Sequence, residues 1–154
     1  MGGEHLFDRI VAAIDNDPGR AAHVVGMAGD LARRMDATVM VVHVREYERA
    51  ATMSGTPRPG AMPPPLYRET EDEARALVDG AVARLREDGV EAEGRVEPGS
   101  AEGSTSRELV EIATRWDAKL IVVGDRGSRV SDVILGGTAH RIVQQAACSV
   151  LLVR

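Results

Sequence analysis

The sequence has very little cysteine and no long hydrophobic run. Cys148 is the single cysteine among 154 residues, which excludes an intramolecular disulfide and agrees with a reducing compartment. Apolar runs such as 39–42 and 120–123 are far shorter than the roughly 20 residues of a membrane-spanning helix. Residues 1–10 lack the basic region, apolar stretch and cleavage site of a secretory signal. We therefore expect a soluble, cytoplasmic protein that does not associate with a membrane.

The sequence also lacks an excess of positive charge. It contains 19 lysine and arginine residues against 24 aspartate and glutamate residues, which gives a formal net charge of −5. Nonspecific binding to nucleic acid requires a basic surface that displaces counterions. The charge balance therefore predicts that nucleic acid is not a partner.

Several patterns that carry cofactor binding or catalysis are absent. No Gly-x-Gly-x-x-Gly follows the first apolar run and no Gly-Lys-Ser/Thr is present, which excludes the common dinucleotide-binding and P-loop classes. The four histidines have no metal-ligand spacing, and we interpret His43, inside an apolar run, as a packed core residue. No Ser-His-Asp set or carboxylate pair stands out. We therefore predict neither catalytic residues nor a metal-ligand cluster.

The sequence does contain a regular alternation of apolar runs and amphipathic segments. Short apolar runs predict five strands, and apolar residues spaced by three or four predict four helices. The predicted strands are 9–15, 38–45, 90–99, 119–125 and 149–154. The predicted helices are 17–35, 69–87, a helix through Trp116 that begins with a Thr105–Glu108 capping box, and about 138–147.

This alternation predicts one α/β domain over residues 1–154, with a doubly wound parallel sheet of strand order 3-2-1-4-5. Parallel neighbours need crossover connections, which are usually right-handed helices. Segment 47–69 holds five of the seven prolines and no period, so we predict a long loop there. Ligands bind such sheets beyond the carboxyl ends of the strands, where the order reverses. Asp15, His43-Val44 and Gly124-Asp125 lie at these ends.

A glycine-rich stretch near the C-terminus indicates a phosphate site. Gly124 and Gly127 follow a predicted strand, while Gly136, Gly137 and Thr138 precede a predicted helix. Backbone N–H groups at a glycine turn and at a helix N-terminus can hold phosphate oxygens, because glycine permits close approach and the helix end carries partial positive charge. The alternative is a turn that needs glycine for its backbone alone.

This stretch resembles the nucleotide-binding signature of the universal stress protein family, in which Gly-x-x-Gly, nine residues and Gly-Ser or Gly-Thr follow one another. The sequence reads Gly124-x-x-Gly127, nine residues, Gly137-Thr138. A second register pairs Gly136 and Gly137 with the family's Gly-Ser and leaves the loop one residue short, so we favour the first register. The first strand ending in aspartate, the second strand and the closing helix and strand resemble the family as well.

The resemblance implies that the protein binds an adenine nucleotide, which is ATP, ADP or AMP, with Mg²⁺ or Mn²⁺ as a potential companion ion. By that resemblance Asp15 holds the adenosine end through the ribose, and the main chain of Val44 reads the adenine. The residues expected around the phosphates are Gly124, Arg126, Gly127, Gly137 and Thr138. Those expected next to them in the site are Ala13, Ile14, Val123, Ser128, Gly136 and Ala139.

Three functions remain open on the sequence alone. We favour a stress-response regulator that uses nucleotide occupancy as a signal to an unidentified downstream protein. A ligand-free dimeric interaction module and a slow ATPase are the alternatives. Asp15 has an alternative role as well, because an aspartate at this position also suits a turn or a helix cap.

The apolar strand 149–154 lies at the predicted sheet edge, so we expect a homodimer joined through it, as the resemblance also implies. We interpret Asp125 as facing solvent, although it could assist a metal.

Overall fold

The protein alternates strands and helices, as the hydrophobic pattern predicts. The computed structural model describes residues 6–48, 60, 66–99, 104–125 and 137–154. The strands are β1 (Arg9–Ala13), β2 (Thr38–Arg45), β3 (Tyr47–Glu48), β4 (Leu66–Tyr67), β5 (Ala92–Pro98), β6 (Leu120–Gly124) and β7 (Ser149–Val153). The helices are α1 (Pro18–Met35), α2 (Glu71–Glu87), α3 (Thr105–Arg115) and α4 (Thr138–Gln145).

The five longer strands form one parallel sheet in the order β5-β2-β1-β6-β7. Counted among these five strands alone, this is the predicted order 3-2-1-4-5, so that prediction is confirmed. The order reverses at β1, because β2 lies on one side of it and β6 on the other. Ala13 pairs with both Val42 and Val123, which brings the carboxyl ends of the three strands to one level.

Helices cover both faces of the sheet, which makes the fold doubly wound. Ile10 of β1 belongs to the core under α1 and α2, whereas its neighbour Val11 belongs to the core under α3 and α4. The apolar runs 39–42 and 120–123 are buried throughout, as expected of parallel strands covered on both faces. In the described parts of the chain, no helix has both the length and the apolar character that a membrane crossing requires.

Helix α2 packs closely on the edge strand β5 through a glycine. A Cβ atom at Gly94 would overlap Cγ1 of Val78 and would lie 3.1 Å from Cγ2 of Val82. Val78 is almost fully buried, so its side chain cannot rotate out into solvent to avoid the overlap. The close approach of the helix therefore requires glycine at this position.

Two helix starts differ from the sequence prediction. Ser104, not Thr105, is the N-cap of α3, because its side chain accepts a hydrogen bond from the Arg107 N–H at 3.2 Å. The predicted Thr105–Glu108 capping box is therefore wrong, because the cap lies one residue earlier and Arg107, not a glutamate, stands three residues after it. Helix α2 begins with a capping box that the sequence analysis missed, in which Thr70 and Glu73 exchange hydrogen bonds. Adjacent hydroxyl residues compete for the cap, and the backbone conformation decides between them.

Some elements are shorter than predicted because the chain turns early. β1 ends at Ala13 instead of Asp15, since the Asp15 side chain accepts a hydrogen bond from the Asp17 N–H at 3.0 Å and forms a turn. α4 ends at Gln145, before the predicted 147, because Ala146 already has the extended backbone (φ −66°, ψ 138°) that leads into β7.

Segment 47–69, predicted as a loop, has paired ends. Tyr47 lies opposite Tyr67 and Glu48 lies opposite Leu66 in a short antiparallel ribbon. The Tyr67 hydroxyl donates to the Gly99 carbonyl oxygen at 3.1 Å, and its ring lies 3.9 Å from the Arg45 guanidinium carbon. Two-residue strands carry too little sequence pattern to predict, so these contacts were not foreseen.

Candidate functional site

A cavity of about 230 Å³ opens at the carboxyl end of the sheet, at the position where the strand order reverses. It lies between the ends of β1, β2 and β6 and the first turns of α1 and α4. In a parallel α/β fold, helix N-termini face the same end of the sheet as the carboxyl ends of the strands. This arrangement places backbone N–H groups and strand-end side chains around one opening.

The cavity brings together all the predicted site residues that the structure describes. These are Ala13, Ile14, Asp15, Val44, Val123, Gly124, Gly137, Thr138 and Ala139. The remaining predicted residues lie outside the described residues, and they are Arg126, Gly127, Ser128 and Gly136.

Asp15 both forms the turn after β1 and lines the cavity. One carboxylate oxygen accepts from the Asp17 N–H, and the other lies 2.9 Å from Nε of Arg20. The helix cap of α1 is a different residue, Asp17, which accepts from the Arg20 N–H at 2.9 Å. The turn and the cavity interpretations of Asp15 are therefore compatible, because 28% of its side chain remains exposed.

The N-terminus of α4 has no side-chain cap among the described residues. Gly137 is the N-cap residue, its backbone is extended (φ −72°, ψ 150°), and it offers no side chain to accept a hydrogen bond. Thr138 follows as the first helical residue and is exposed. Uncapped N–H groups at a helix start are suited to an anion such as a phosphate oxygen.

One part of the cavity lining is apolar. Val42 and Val44 of β2 line it together with Leu109 of α3 and Ile142 of α4. An apolar wall next to main-chain polar groups suits a flat ring that also needs hydrogen bonds, because the wall buries the ring faces while the main chain satisfies its edge.

Charged side chains line the rim of the cavity. Three carboxylates line it, those of Asp15, Glu46 and Asp125. Among the described lining residues, Arg20 is the only lysine or arginine. Asp125, expected to face solvent, has 24% of its side chain exposed and lines the cavity, and its N–H donates to the Val153 carbonyl oxygen at 2.8 Å. Its carboxylate is therefore partly exposed.

Sequence reasoning missed several residues of this cavity. They are Arg20, Ala21, Val24, Val42, Glu46, Thr105, Leu109, His140 and Ile142. Thr105 could have been found, because it begins a helix and helix starts face the carboxyl end of a parallel sheet. Leu109 lies one helical turn later, so the spacing of four residues places it on the same face of α3.

His43 is packed in the core, as the sequence analysis expected, and it has two polar partners. Its Nδ1 lies 2.9 Å from the Ile14 carbonyl oxygen, and its Nε2 contacts the Glu69 carboxylate. A carbonyl oxygen only accepts, so Nδ1 donates to Ile14. His43 therefore connects the wall of the cavity to the residue two positions before α2. Within the ranges that the structure describes, no three His, Cys, Asp or Glu side chains converge as a metal site would require.

Cys148 lies away from this cavity, directly before β7. It is half-buried and packs against the core under α3 and α4. Burial raises the pKa of the Cys148 thiol, while a main-chain hydrogen bond and the nearby Lys119 oppose that shift. The expectation that Cys148 packs as a small apolar residue is confirmed.

Known proteins resemble this chain over nearly its whole length. The model of the universal stress protein family matches residues 6–154. Universal stress protein YxiE of Bacillus subtilis is 29% identical over 156 residues, which cover 97% of this chain and all of that protein.

Two solved structures with bound ligands share the fold. A universal stress protein of Archaeoglobus fulgidus in complex with dAMP has a TM-score of 0.66 and 24% identity, and the match covers 97% of this chain and 99% of that one. A universal stress protein in complex with cAMP has a TM-score of 0.69 and 21% identity, with 96% and 97% covered. The strand order, the helices on both faces and the family match lead to one conclusion. The chain belongs to the universal stress protein family.

Proposed function

We propose that this protein binds an adenine nucleotide in the cavity at the ends of β1, β2 and β6, and that occupancy of this site is a regulatory signal in a stress response. The observation that carries the proposal is the convergence of three features on one opening. These are the Asp15 carboxylate, the apolar wall with Val44, and the N-terminus of α4 at Gly137 without a side-chain cap. The related proteins with bound dAMP and cAMP support the same ligand class.

Each of these three features fits one part of the nucleotide. Asp15 accepts hydrogen bonds from ribose hydroxyls, and the main chain of Val44 reads the edge of the adenine. The backbone at Gly124, Gly137 and Thr138 holds phosphate oxygens, in the register that ends at Gly137-Thr138. Arg126, Gly127, Ser128 and Gly136, which lie outside the described residues, complete the phosphate loop in this proposal. Ala13, Ile14, Val123 and Ala139 form the walls.

The proposal covers ATP, ADP and AMP. A polyphosphate would bring Mg²⁺ or Mn²⁺ with it, and carboxylate oxygens are the side-chain donors that these ions prefer. Asp125 supplies such a carboxylate at the rim of the cavity. We assign no general base among the residues proposed to hold the nucleotide, and we therefore propose a binding protein in which ATP hydrolysis is slow.

We further propose that residues 1–154 act as one domain, that two copies pair through β7, and that the protein works in the cytoplasm. β7 is an edge strand of the sheet, and Val150, Leu151 and Leu152 are each half-buried in the chain. An apolar edge strand invites pairing with another strand, and a twofold axis satisfies both copies at once. The downstream partner would then read a nucleotide-loaded dimer.

The nucleotide proposal is tested by identifying what the protein carries and what it binds. Native mass spectrometry of freshly purified protein should show a mass increment of AMP, ADP or ATP, and calorimetry of the stripped protein should show saturable binding of the same nucleotide. A stripped protein that binds none of them would favour the ligand-free interaction module. Timed phosphate release from ATP tests the slow ATPase.

A further inference from the structure

Arg20 places a guanidinium group beside the carboxylate proposed to hold the ribose. Its Nε lies 2.9 Å from Oδ2 of Asp15, and its Nη1 lies 3.4 Å from Oδ2 of Asp17. Arg20 lies in the first turn of α1, where its own N–H is held by the Asp17 cap. The backbone cap and the ion pair together fix the start of this side chain at the rim of the cavity.

The stem of Arg20 lies over the end of β6, where the glycine loop begins. A Cβ atom at Gly124 would lie 3.6 Å from Cδ of Arg20 and 3.8 Å from its Cβ. The side chain therefore occupies the space next to Gly124, the residue that opens the predicted phosphate loop.

Arg20 supplies a positive charge to a cavity that carboxylates line. Glu46 is paired with Arg68 at 2.9 Å and Asp125 lies 4.0 Å from Arg154, and among the described lining residues only Arg20 carries a permanent positive charge. A guanidinium has five N–H donors, and the two ion pairs use Nε and Nη1. One edge of the group can therefore hold carboxylate while another donates to a phosphate oxygen.

We propose that Arg20 binds the phosphate group next to the ribose, so that Asp15 and Arg20 together recognise a nucleoside 5′-phosphate. This inference rests on the nucleotide-binding function proposed above and assigns to Arg20 the recognition of the phosphate next to the ribose. Adenosine, which carries no phosphate, gains nothing from the guanidinium. The Arg20 side chain thus makes the site selective for the nucleotide over the nucleoside.

The test compares AMP with adenosine on the full chain and on three variants by titration calorimetry. Arg20→Gln should weaken AMP binding about tenfold or more, because a hydrogen bond to a charged group is lost. It should change adenosine binding less than twofold. Arg20→Lys should fall between the unmodified protein and Arg20→Gln for AMP, since the charge remains but the planar fork of donors does not.

Arg75→Gln is the matched control, because it makes the same change of net charge on the exposed face of α2, where Arg75 pairs with Glu71. It should leave both affinities unchanged. Circular dichroism melts of the variants check that each is folded at the titration temperature. Adding salt should weaken AMP binding more in the unmodified protein than in Arg20→Gln.

Equal losses for AMP and adenosine in Arg20→Gln would overturn the inference, because they would mean that Arg20 only positions Asp15. An unchanged AMP affinity in Arg20→Gln would overturn it too. If the unmodified protein binds neither AMP nor ATP, the proposed function itself is wrong. These results are distinct, since the first two require a protein that binds nucleotide.

Discussion

His43 bridges the carbonyl oxygen of Ile14 and the carboxylate of Glu69 through the two nitrogens of one buried ring. The first contact lies at the end of β1, in the wall of the cavity, and the second lies at the end of segment 47–69. His43 is 3% exposed, so water cannot replace either partner without a local opening of the core. The geometry of the cavity wall therefore depends on the placement of the segment that leads into α2.

Glu69→Ala should lower the free energy of unfolding by about 1–3 kcal/mol, because it leaves the buried Nε2 of His43 without its partner. Urea denaturation at neutral pH measures the change. Glu71→Ala is the control, since it removes an exposed ion pair with Arg75 and should cost less than about 0.5 kcal/mol. Equal effects of the two changes would show that the buried contact contributes nothing beyond an exposed one.

Gly94→Ala should destabilise the protein by about 1–3 kcal/mol, because the new Cβ overlaps Val78 and forces α2 away from β5. The double variant Gly94→Ala/Val78→Ala should lose less than the sum of the single changes, since the smaller residue 78 makes room. Gly80→Ala on the exposed side of α2 meets no atom within 4 Å and should stabilise by up to about 1 kcal/mol. If the double variant lost as much stability as the two single variants together, the overlap between the new Cβ and Val78 would be contradicted.

Thr138→Ala should weaken ATP binding more than adenosine binding, because Thr138 is the first residue of α4 and its hydroxyl is proposed to meet a phosphate. We expect a loss for ATP of about 0.5–1.5 kcal/mol, the net contribution of one hydrogen bond. Calorimetry with both ligands measures it. Thr114→Ala is the control on an exposed face of α3. Equal losses for the two ligands would exclude a phosphate role for Thr138.

Leu151→Lys should convert the proposed dimer to monomer, because it places a charge in the middle of the edge strand β7. Light scattering at tens of micromolar measures the mass. Val143→Lys, an exposed apolar residue on α4, should leave the dimer intact. An unmodified protein that is monomeric at this concentration would refute pairing through β7, and nucleotide titration of Leu151→Lys would show whether the cavity still forms.

Cys148 should react slowly with iodoacetamide in the folded protein. The thiolate is the reactive form, and burial raises the pKa of Cys148, so less thiolate is present at any pH near that value. The labelling rate should therefore rise at a higher pH in the folded protein than in urea. Mass spectrometry of timed samples gives both profiles. If the labelling rate rose at the same pH in the folded protein as in urea, the raised pKa of Cys148 would be contradicted.

The sheet and its order could be predicted from sequence because the strands are buried on both faces. Burial on both faces is visible in the sequence as uninterrupted apolar runs, such as 39–42 and 120–123. The helices between the strands indicate that the strands run parallel. Asp15 and Gly124 were predicted to lie at the same edge of the sheet for the same reason, since both lie at the carboxyl ends of strands at the point of reversal.

The details of the site that were missed depend on side-chain direction. Arg20 faces Asp15 because a cap at Asp17 sets the angle at which α1 begins, and the sequence does not show that angle. Ser104 and Thr105 are chemically equivalent caps, so only the backbone separates them. Glu69 lies 26 residues from His43, and no periodic pattern connects the two.

The pairing of Glu48 with Leu66 favours tolerance of residues inserted between these two positions. The chain leaves the two-residue ribbon at Glu48 and returns to it at Leu66, so the two ends of the connection are held side by side. Where a connection is flexible, doubling its length costs only about 0.6 kcal/mol in closure entropy. The junction is therefore a suitable place to insert a reporter domain whose own ends are close together.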